Sequence, residues 1–181
     1  VGSPDLYFLW DSFDRIQSFI GAGGCAALSA TGNNFPTITA LTNRTIPANT
    51  PFELTASATD VNGDPLTYTW EQRNLGPAQI LSDPDNGTSP IIRSRPGTTS
   101  GTRMFPPSAF VLAGTLPAGE KLPILARTMP MRVTVRDNKA GGGGINTADL
   151  TLTVVTTAGP LAVTGPNGGE VVAQGTGTVT W

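Results

Sequence analysis

The sequence predicts a mainly β protein whose strands form an antiparallel β-sandwich. Three observations support this prediction. Apolar and polar residues alternate with period two over five runs, the runs are rich in Thr, Tyr and Trp, and turn-forming residues separate them. Such alternation places one face of each strand in a core between two sheets, and Trp70 fits the large aromatic at its centre. The five runs are TITAL (37–41), FELTASAT (52–59), LTYTWEQ (66–72), MRVTVRD (131–137) and DLTLTVVT (149–156).

A short helix is predicted near the N-terminus, over residues 5–20. Apolar residues recur there at helical spacing, and Asp11 or Ser12 is suited to cap the start of the helix. A glycine cluster ends it. An amphipathic helix of two or three turns needs a partner surface to be stable. Its apolar residues are Phe13, Ile16, Phe19 and Ile20, and the glycines are Gly21, Gly23 and Gly24.

The remaining segments define the expected domain organisation. Residues 26–36 are small and polar, which predicts a linker, and the sandwich is expected over 37–157. Residues 73–130 form a proline-rich stretch far longer than an ordinary strand connection, so we predict a long insertion with short strand candidates near 78–82, 90–93 and 109–112. The GGGG run at 141–144 predicts a flexible or sharply turning hairpin. A fresh strand pattern over 158–181 predicts the start of a second, truncated β domain.

Composition excludes several function classes. The chain has no histidine, so histidine-based triads, histidine-liganded zinc and imidazole bases are absent. The net charge of −2 and the lack of a basic cluster argue against nucleic-acid binding. No apolar run approaches 18 residues, so we expect no membrane span. The single cysteine, Cys25, is either a small buried hydrophobic residue or half of a disulfide with a partner elsewhere. We expect no catalytic residues in this chain.

The most chemically suggestive motif is the loop Asp60-Val61-Asn62-Gly63-Asp64, between the second and third predicted strands. Carboxylate and amide oxygens at alternating positions around a glycine suit a hard cation such as Ca²⁺. Asp137 follows the fourth predicted strand and is expected to add oxygens at the same end of the sandwich. The same residue types are also those that any β-turn prefers, so both interpretations remain open. The loop Asp83-Pro84-Asp85-Asn86-Gly87 is open to the same two interpretations, metal binding and turn formation, and turn formation explains it fully.

Three long runs carry a resemblance to a known family: TIPANTPFELTASATDVNGDPLTYTWEQRNLGPA, MRVTVRDNKAGGGGINTADLTLTV and PLAVTGPNGGE. They resemble the region that follows the catalytic domain in secreted bacterial reprolysin-like (metzincin) zinc metalloproteases. That region contains a PKD/cadherin-like immunoglobulin-fold module. The resemblance covers residues 36–170, and the runs DVNGDPLTYTWEQ and RDNKAGGGG are its most specific parts. Residues 1–25 resemble the last helix and closing cysteine of the metzincin catalytic domain.

The resemblance implies a non-catalytic accessory module of a secreted protease, which acts in spacing, stabilisation or docking. It implies zinc only in an upstream catalytic domain, and calcium at Asp60, Asn62 and Asp64, with Asp137 as the further oxygen donor noted above. The implied partners are the upstream protease domain and a protein substrate or cell-surface component, and the chain is expected to be a monomer. The alternative is a carbohydrate-binding or cell-surface adhesion module, which an exposed row of aromatic side chains such as Tyr68, Trp70 and Trp181 would favour.

Overall fold

The computed structural model describes residues 7–23, 29–80, 82–171 and 174–181, and these contain two helices and eight strands. The helices are α1 (Trp10–Gly21) and α2 (Ser108–Leu112). The strands are β1 (Thr37–Ile38), β2 (Arg44–Pro47), β3 (Phe52–Thr55), β4 (Ala58–Thr59), β5 (Thr67–Gln72), β6 (Thr102–Phe105), β7 (Arg127–Arg136) and β8 (Ile145–Val155).

Four strands form the larger sheet, in the order β2-β8-β7-β5. The long antiparallel ladder between β7 and β8 is its centre, and β5 pairs antiparallel with β7 in a register that sets Trp70 beside Val133. The edge strand β2 runs parallel to β8, with Ile46 beside Val154. The sheet is therefore antiparallel except at this one edge.

The opposing layer consists of shorter strands, in which β3 pairs with β6 and β4 pairs with β1. Only Ala56 and Ser57 separate β3 from β4, and both extend the ladders. The amide of Ala56 donates to the carbonyl of Gly101 (3.1 Å), and the carbonyl of Ser57 accepts from the amide of Thr39 (2.9 Å). The four short strands thus form one surface against the larger sheet.

The core lies between the two layers, as the alternation predicts. Phe52 and Leu54 of β3 are buried while Glu53 between them is exposed, and the ring of Phe52 stacks on that of Phe105 at 4.9 Å. Trp70 is only 2% exposed, and its indole N–H donates to the carbonyl of Gly101 (2.9 Å). The prediction of a mainly β immunoglobulin-like sandwich with a central Trp70 is confirmed. The other buried apolar residues are Ala48, Ala56, Ile91, Ile92, Met129, Met131, Val133, Val135, Leu150, Leu152 and Val154.

Two strands, β2 and β6, were not predicted from the sequence, and two strands start earlier than expected. β8 begins at Ile145 rather than at residue 149. β7 begins at Arg127 rather than at residue 131, because Pro130 does not interrupt its pairing with β8. Residues 109–112, a strand candidate, lie in α2 instead, and residues 90–93 are irregular. The stretch from 73 to 130 therefore contributes β6 and the start of β7 to the sandwich itself.

The irregular part of this stretch is held against the sandwich by buried polar contacts. The side-chain carbonyl of Gln72 accepts hydrogen bonds from the amides of Ile91 (2.8 Å) and Ile92 (3.0 Å). Both isoleucines are buried in the core. The segment around them consequently lies along the free edge of β5.

Helix α1 lies against the outer face of the larger sheet through charged contacts. Asp14 accepts hydrogen bonds from Arg132 (2.6 Å) and Arg73 (3.2 Å), and the Arg73 guanidinium lies 4.7 Å from the centre of the Trp10 ring. None of the helix residues is buried, and Phe19 and Ile20 remain exposed. Neither α1 nor α2 has the length and apolar character needed to cross a membrane.

The start of α1 differs from the prediction. The helix begins at Trp10, its N-cap residue is Leu9, and no side chain caps it. Asp11 is instead the second residue of the helix, two residues after the N-cap, and it pairs with Arg15 at 2.9 Å, four residues along the helix. This pairing occupies the carboxylate that was expected to cap the helix.

Glu71 lies almost completely buried beneath the N-terminus of α1, which leads to a testable prediction. Burial raises the pKa of Glu71, although a hydrogen bond from the Trp10 amide and the charges of Arg136 and Arg132 oppose the rise. A carboxyl group with a raised folded-state pKa costs stability at high pH, because the unfolded chain ionises more easily. We expect Glu71→Gln to raise the melting temperature at pH 7.

The difference between Glu71→Gln and wild type is expected to disappear below pH 4.5, where both states of the wild type are protonated. Thermal melts across this pH range measure it. Glu53→Gln is the matched control, since Glu53 is exposed on β3 and is expected to leave the melting temperature unchanged. A lower melting temperature for Glu71→Gln at pH 7 would contradict the prediction.

Candidate metal centre

The loop between β4 and β5 and the loop between β7 and β8 meet at one end of the sandwich. Because successive antiparallel strands are joined at the ends of the sheets, these loops lie side by side. Three carboxylates converge there. Asp60, Asp64 and Asp137 each offer one oxygen, and these oxygens lie within 4.8 Å of one another. The structure thus brings together three of the four residues that the sequence singled out.

Asp60 both shapes its turn and leaves one oxygen for a ligand. Its Oδ1 accepts hydrogen bonds from the amides of Asn62 (2.8 Å) and Asp64 (3.1 Å). The turn closes where the amide of Gly63, with φ at +75°, donates to the Asp60 carbonyl. Oδ2 of Asp60 is buried and has no hydrogen-bond partner in the described residues. Turn formation therefore uses one carboxylate oxygen and does not exclude a cation at the other.

Asp137 is fully buried at the start of the β7–β8 loop. Burial alone would raise its pKa, but hydrogen bonds from the Asn33 side chain (2.5 Å) and the amides of Lys139 (3.2 Å) and Gly144 (2.8 Å) lower it. A Cβ on Gly144 would lie 2.8 Å from Asp137 Oδ2. The last glycine of the GGGG run is therefore required by this close approach.

The segment 29–36 joins the cluster through two asparagines. Asn33 donates to Asp137 and to the carbonyl of Gly142 (3.1 Å), and its own Oδ1 is buried without a hydrogen-bond partner in the described residues. Asn62, predicted as a ligand, instead turns its Oδ1 to Asn34, accepting from the Asn34 amide at 2.9 Å. Asn33 was missed by the sequence analysis, and the signal for it is the Asn33-Asn34 pair just before β1.

The charge and chemistry of the cluster suit a hard cation. Three carboxylates face one ammonium, that of Lys139, whose Nζ lies 3.4 Å from Asp64 Oδ2. Like charges held this close repel one another, so a bound cation relieves the repulsion. The donors are all oxygens, which Ca²⁺ prefers and which differ from the nitrogen and sulfur ligands typical of structural zinc. Asp60, Asp64 and Asp137 therefore fit calcium, and Asn33 lies beside them through its hydrogen bond to Asp137.

Other residues considered in the sequence have structural explanations. Asp85 is engaged by Arg127 Nη1 (2.6 Å) and by the amides of Gly87 (2.8 Å) and Ile124 (3.2 Å), so its loop is a packed turn. Trp70 is buried while Trp181 is 77% exposed, so these two do not share an exposed face. Cys25 lies outside the described residues.

Comparisons with known proteins give one distant structural likeness. No protein-family model matches the chain, and no curated protein matches its sequence. A crystal structure of Drosophila N-cadherin EC1-3 is similar at 18% sequence identity and a TM-score of 0.39, over 69% of this chain. The matched region spans 35% of the cadherin chain. The strand pairing described above defines the fold independently of this likeness.

Proposed function

We propose that this chain is a non-catalytic accessory module of a secreted zinc metalloprotease, stiffened by calcium where residues 29–36 enter the sandwich. The observation that carries the proposal is the convergence of three chain segments on one oxygen cluster. Asp60 and Asp64 come from one loop, Asp137 from a second, and Asn33 from the entering segment.

A cation at this cluster would act as a clamp. Calcium takes six to eight oxygen ligands, and the buried oxygens of Asp60 and Asn33 without hydrogen-bond partners are available to it. Bonds to ligands on both loops and to Asn33 would fix the entering segment against the sandwich. A module that keeps a neighbouring domain at a set distance and angle needs such a fixed junction. Spacing and stabilisation of that neighbour follow as the role of the module.

The protease partnership rests on the resemblance of the long sequence runs to metzincin-associated modules. Zinc ligation would belong to the partner domain, since this chain has no histidine. A gene sequence that encodes an HExxHxxGxxH segment upstream of this chain would support the partnership. Its absence would shift the proposal to a cell-surface adhesion module.

Calcium is expected to raise the melting temperature of the wild-type chain relative to a chelator. Calcium at about 100 times its dissociation constant adds roughly 2.7 kcal/mol to the free energy of unfolding. For a domain of this size, each kcal/mol corresponds to about 2–4 °C. Thermal melts in calcium and in chelator measure the rise. Asp64→Asn is expected to reduce it strongly, because the variant removes one of the three converging charges.

Asp83→Asn is the matched control for Asp64→Asn. Asp83 lies in a loop outside the cluster, so the calcium response is expected to remain intact in this variant. Limited proteolysis of residues 29–36 gives a second readout, since a clamped segment should be cut more slowly in calcium. A wild-type melting temperature that does not change with calcium would exclude the clamp. An equal calcium-dependent rise in the melting temperature of Asp64→Asn would mean that the cation binds elsewhere.

A further inference from the structure

Strand β6 presents an unpaired edge on the side of the sandwich that faces β5. β6 pairs with β3 on one side, and in the described residues no strand pairs with its other side. Continuing the β3–β6 register, Ala56 lies opposite Gly101, and the amide of Ala56 donates to the carbonyl of Gly101. This hydrogen bond shows which residues of β6 pair with β3 through their backbones and which residues, in alternation with them, do not. By that alternation the backbone N–H and C=O groups of Thr102 and Met104 point away from β3.

The side-chain geometry agrees with this alternation. Thr55 and Thr102 are opposite residues, and their hydroxyl oxygens lie 2.9 Å apart. Side chains approach this closely in antiparallel pairs whose backbones do not exchange hydrogen bonds. The amide of Thr102 is met by the hydroxyl of Ser100 at 3.2 Å. In the part of the chain that the structure describes, the N–H and C=O of Met104 have no other backbone partner, so they are the central open groups of the edge.

A groove of about 280 Å³ adjoins this edge and carries positive charge. Arg95 and Arg103 line it, and no acidic side chain does. Both guanidiniums donate to one buried carboxylate oxygen of Glu120, at 2.6 Å each, so one positive charge remains in excess. Arg103 is also held by the carbonyl of Trp70 (2.8 Å), whereas the Arg95 side chain is 37% exposed. Arg95 is therefore the guanidinium that a ligand can reach.

We propose that the β6 edge and this groove bind an extended acidic peptide segment of a partner protein by strand addition. The backbone of the segment pairs with Met104, as extended peptides do at open sheet edges. Alternate side chains of an added strand point to opposite faces. Carboxylates on one face meet Arg95, and apolar side chains on the other lie beside Met104. None of the groove residues belongs to the carboxylate cluster, so this inference goes beyond the calcium junction.

The test is an NMR titration of the ¹⁵N-labelled chain with the synthetic peptide acetyl-Glu-Val-Glu-Val-Glu-Val-amide. We expect the largest amide shifts at Thr102 and Met104, and shifts at the side-chain Nε of Arg95. The matching Lys-Val peptide should produce none of them. Arg95→Gln should weaken binding about tenfold, since it removes one charge-assisted contact. Arg44→Gln is the matched control, because Arg44 is an exposed arginine on β2 away from the groove.

Backbone pairing is tested on the peptide, which leaves the fold of the protein untouched. Two versions of the Glu-Val peptide carry N-methyl groups on alternate residues, one at the Glu and the other at the Val positions. At least one version should lose binding, because a methylated nitrogen cannot donate to the edge. Undiminished binding of both methylated versions, shifts located elsewhere, or no shifts at millimolar peptide would overturn the proposal. The titrations are run both in calcium and in chelator, so that a failure of peptide binding is distinguished from a failure of the calcium site.

Discussion

Asp85→Ala is expected to lower the free energy of unfolding by about 3–5 kcal/mol, the usual cost of removing one partner of a buried ion pair. Asp85 and Arg127 are each only 1% exposed at their side chains, and Arg127 Nη1 lies 2.6 Å from Asp85 Oδ1. Without Asp85, the guanidinium is left buried, and the carbonyl of Ser89 (2.8 Å) is its remaining partner among the described residues. The amides of Gly87 and Ile124 also lose their acceptor.

Chemical denaturation of Asp85→Ala beside two comparison variants checks this value. Asp83→Ala removes a carboxylate two residues away that is only half-buried, and we expect a change within about 0.5 kcal/mol. The double variant Asp85→Leu with Arg127→Met removes both charges and should recover much of the loss, since a buried pair is often replaceable by apolar residues. A small loss in Asp85→Ala alone would mean that water reaches the pair.

The contrast between Asp85 and Asp60 illustrates what the sequence predicts about carboxylates. Both lie in loops rich in Asp, Asn and Gly, and turn formation explains both from local sequence. They differ through distant partners. Asp85 meets a guanidinium 42 residues away, whereas Asp60 keeps a buried oxygen without one in the described residues. No local pattern encodes that difference, so the sequence left the same choice open for both loops.

The convergence of Asp60, Asp64 and Asp137 was predictable because it follows from topology. Alternation identifies the flanking strands, and antiparallel order places the loops at one end of the sandwich. Asn33 was not predictable in this way, because the segment 29–36 has no periodic pattern to fix its path. Its contact with Asp137 is made across 104 residues.

The strands that the sequence missed are short ones with weak alternation. β2 ends in Pro47, and β6 is followed by two prolines, so both read as loop in a local window. β6 is a strand because Phe105 stacks on Phe52 in the core and β3 supplies its ladder. Tertiary packing rather than local propensity thus determines these two strands.

Trp70→Ala is expected to cost about 3–5 kcal/mol, the range for truncating a large buried aromatic side chain. Trp70 contributes more than apolar volume. Its indole N–H donates to the carbonyl of Gly101 on the opposite sheet. It therefore joins the two layers at the side of the sandwich where the β6 groove lies. Thermal and denaturant melts measure the loss, which corresponds to a fall in melting temperature on the order of 10 °C.

Trp70→Phe separates the volume of the side chain from its hydrogen bond. The Gly101 carbonyl also accepts from the amide of Ala56, so losing the indole donor leaves no unpaired acceptor. We therefore expect Trp70→Phe to cost much less than Trp70→Ala. Trp181→Ala, at an exposed tryptophan, should change the stability by no more than about 0.5 kcal/mol. If Trp70→Ala were as mild as Trp181→Ala, the two layers would not share the core that encloses Trp70, and the sandwich would be stabilised chiefly by its loops.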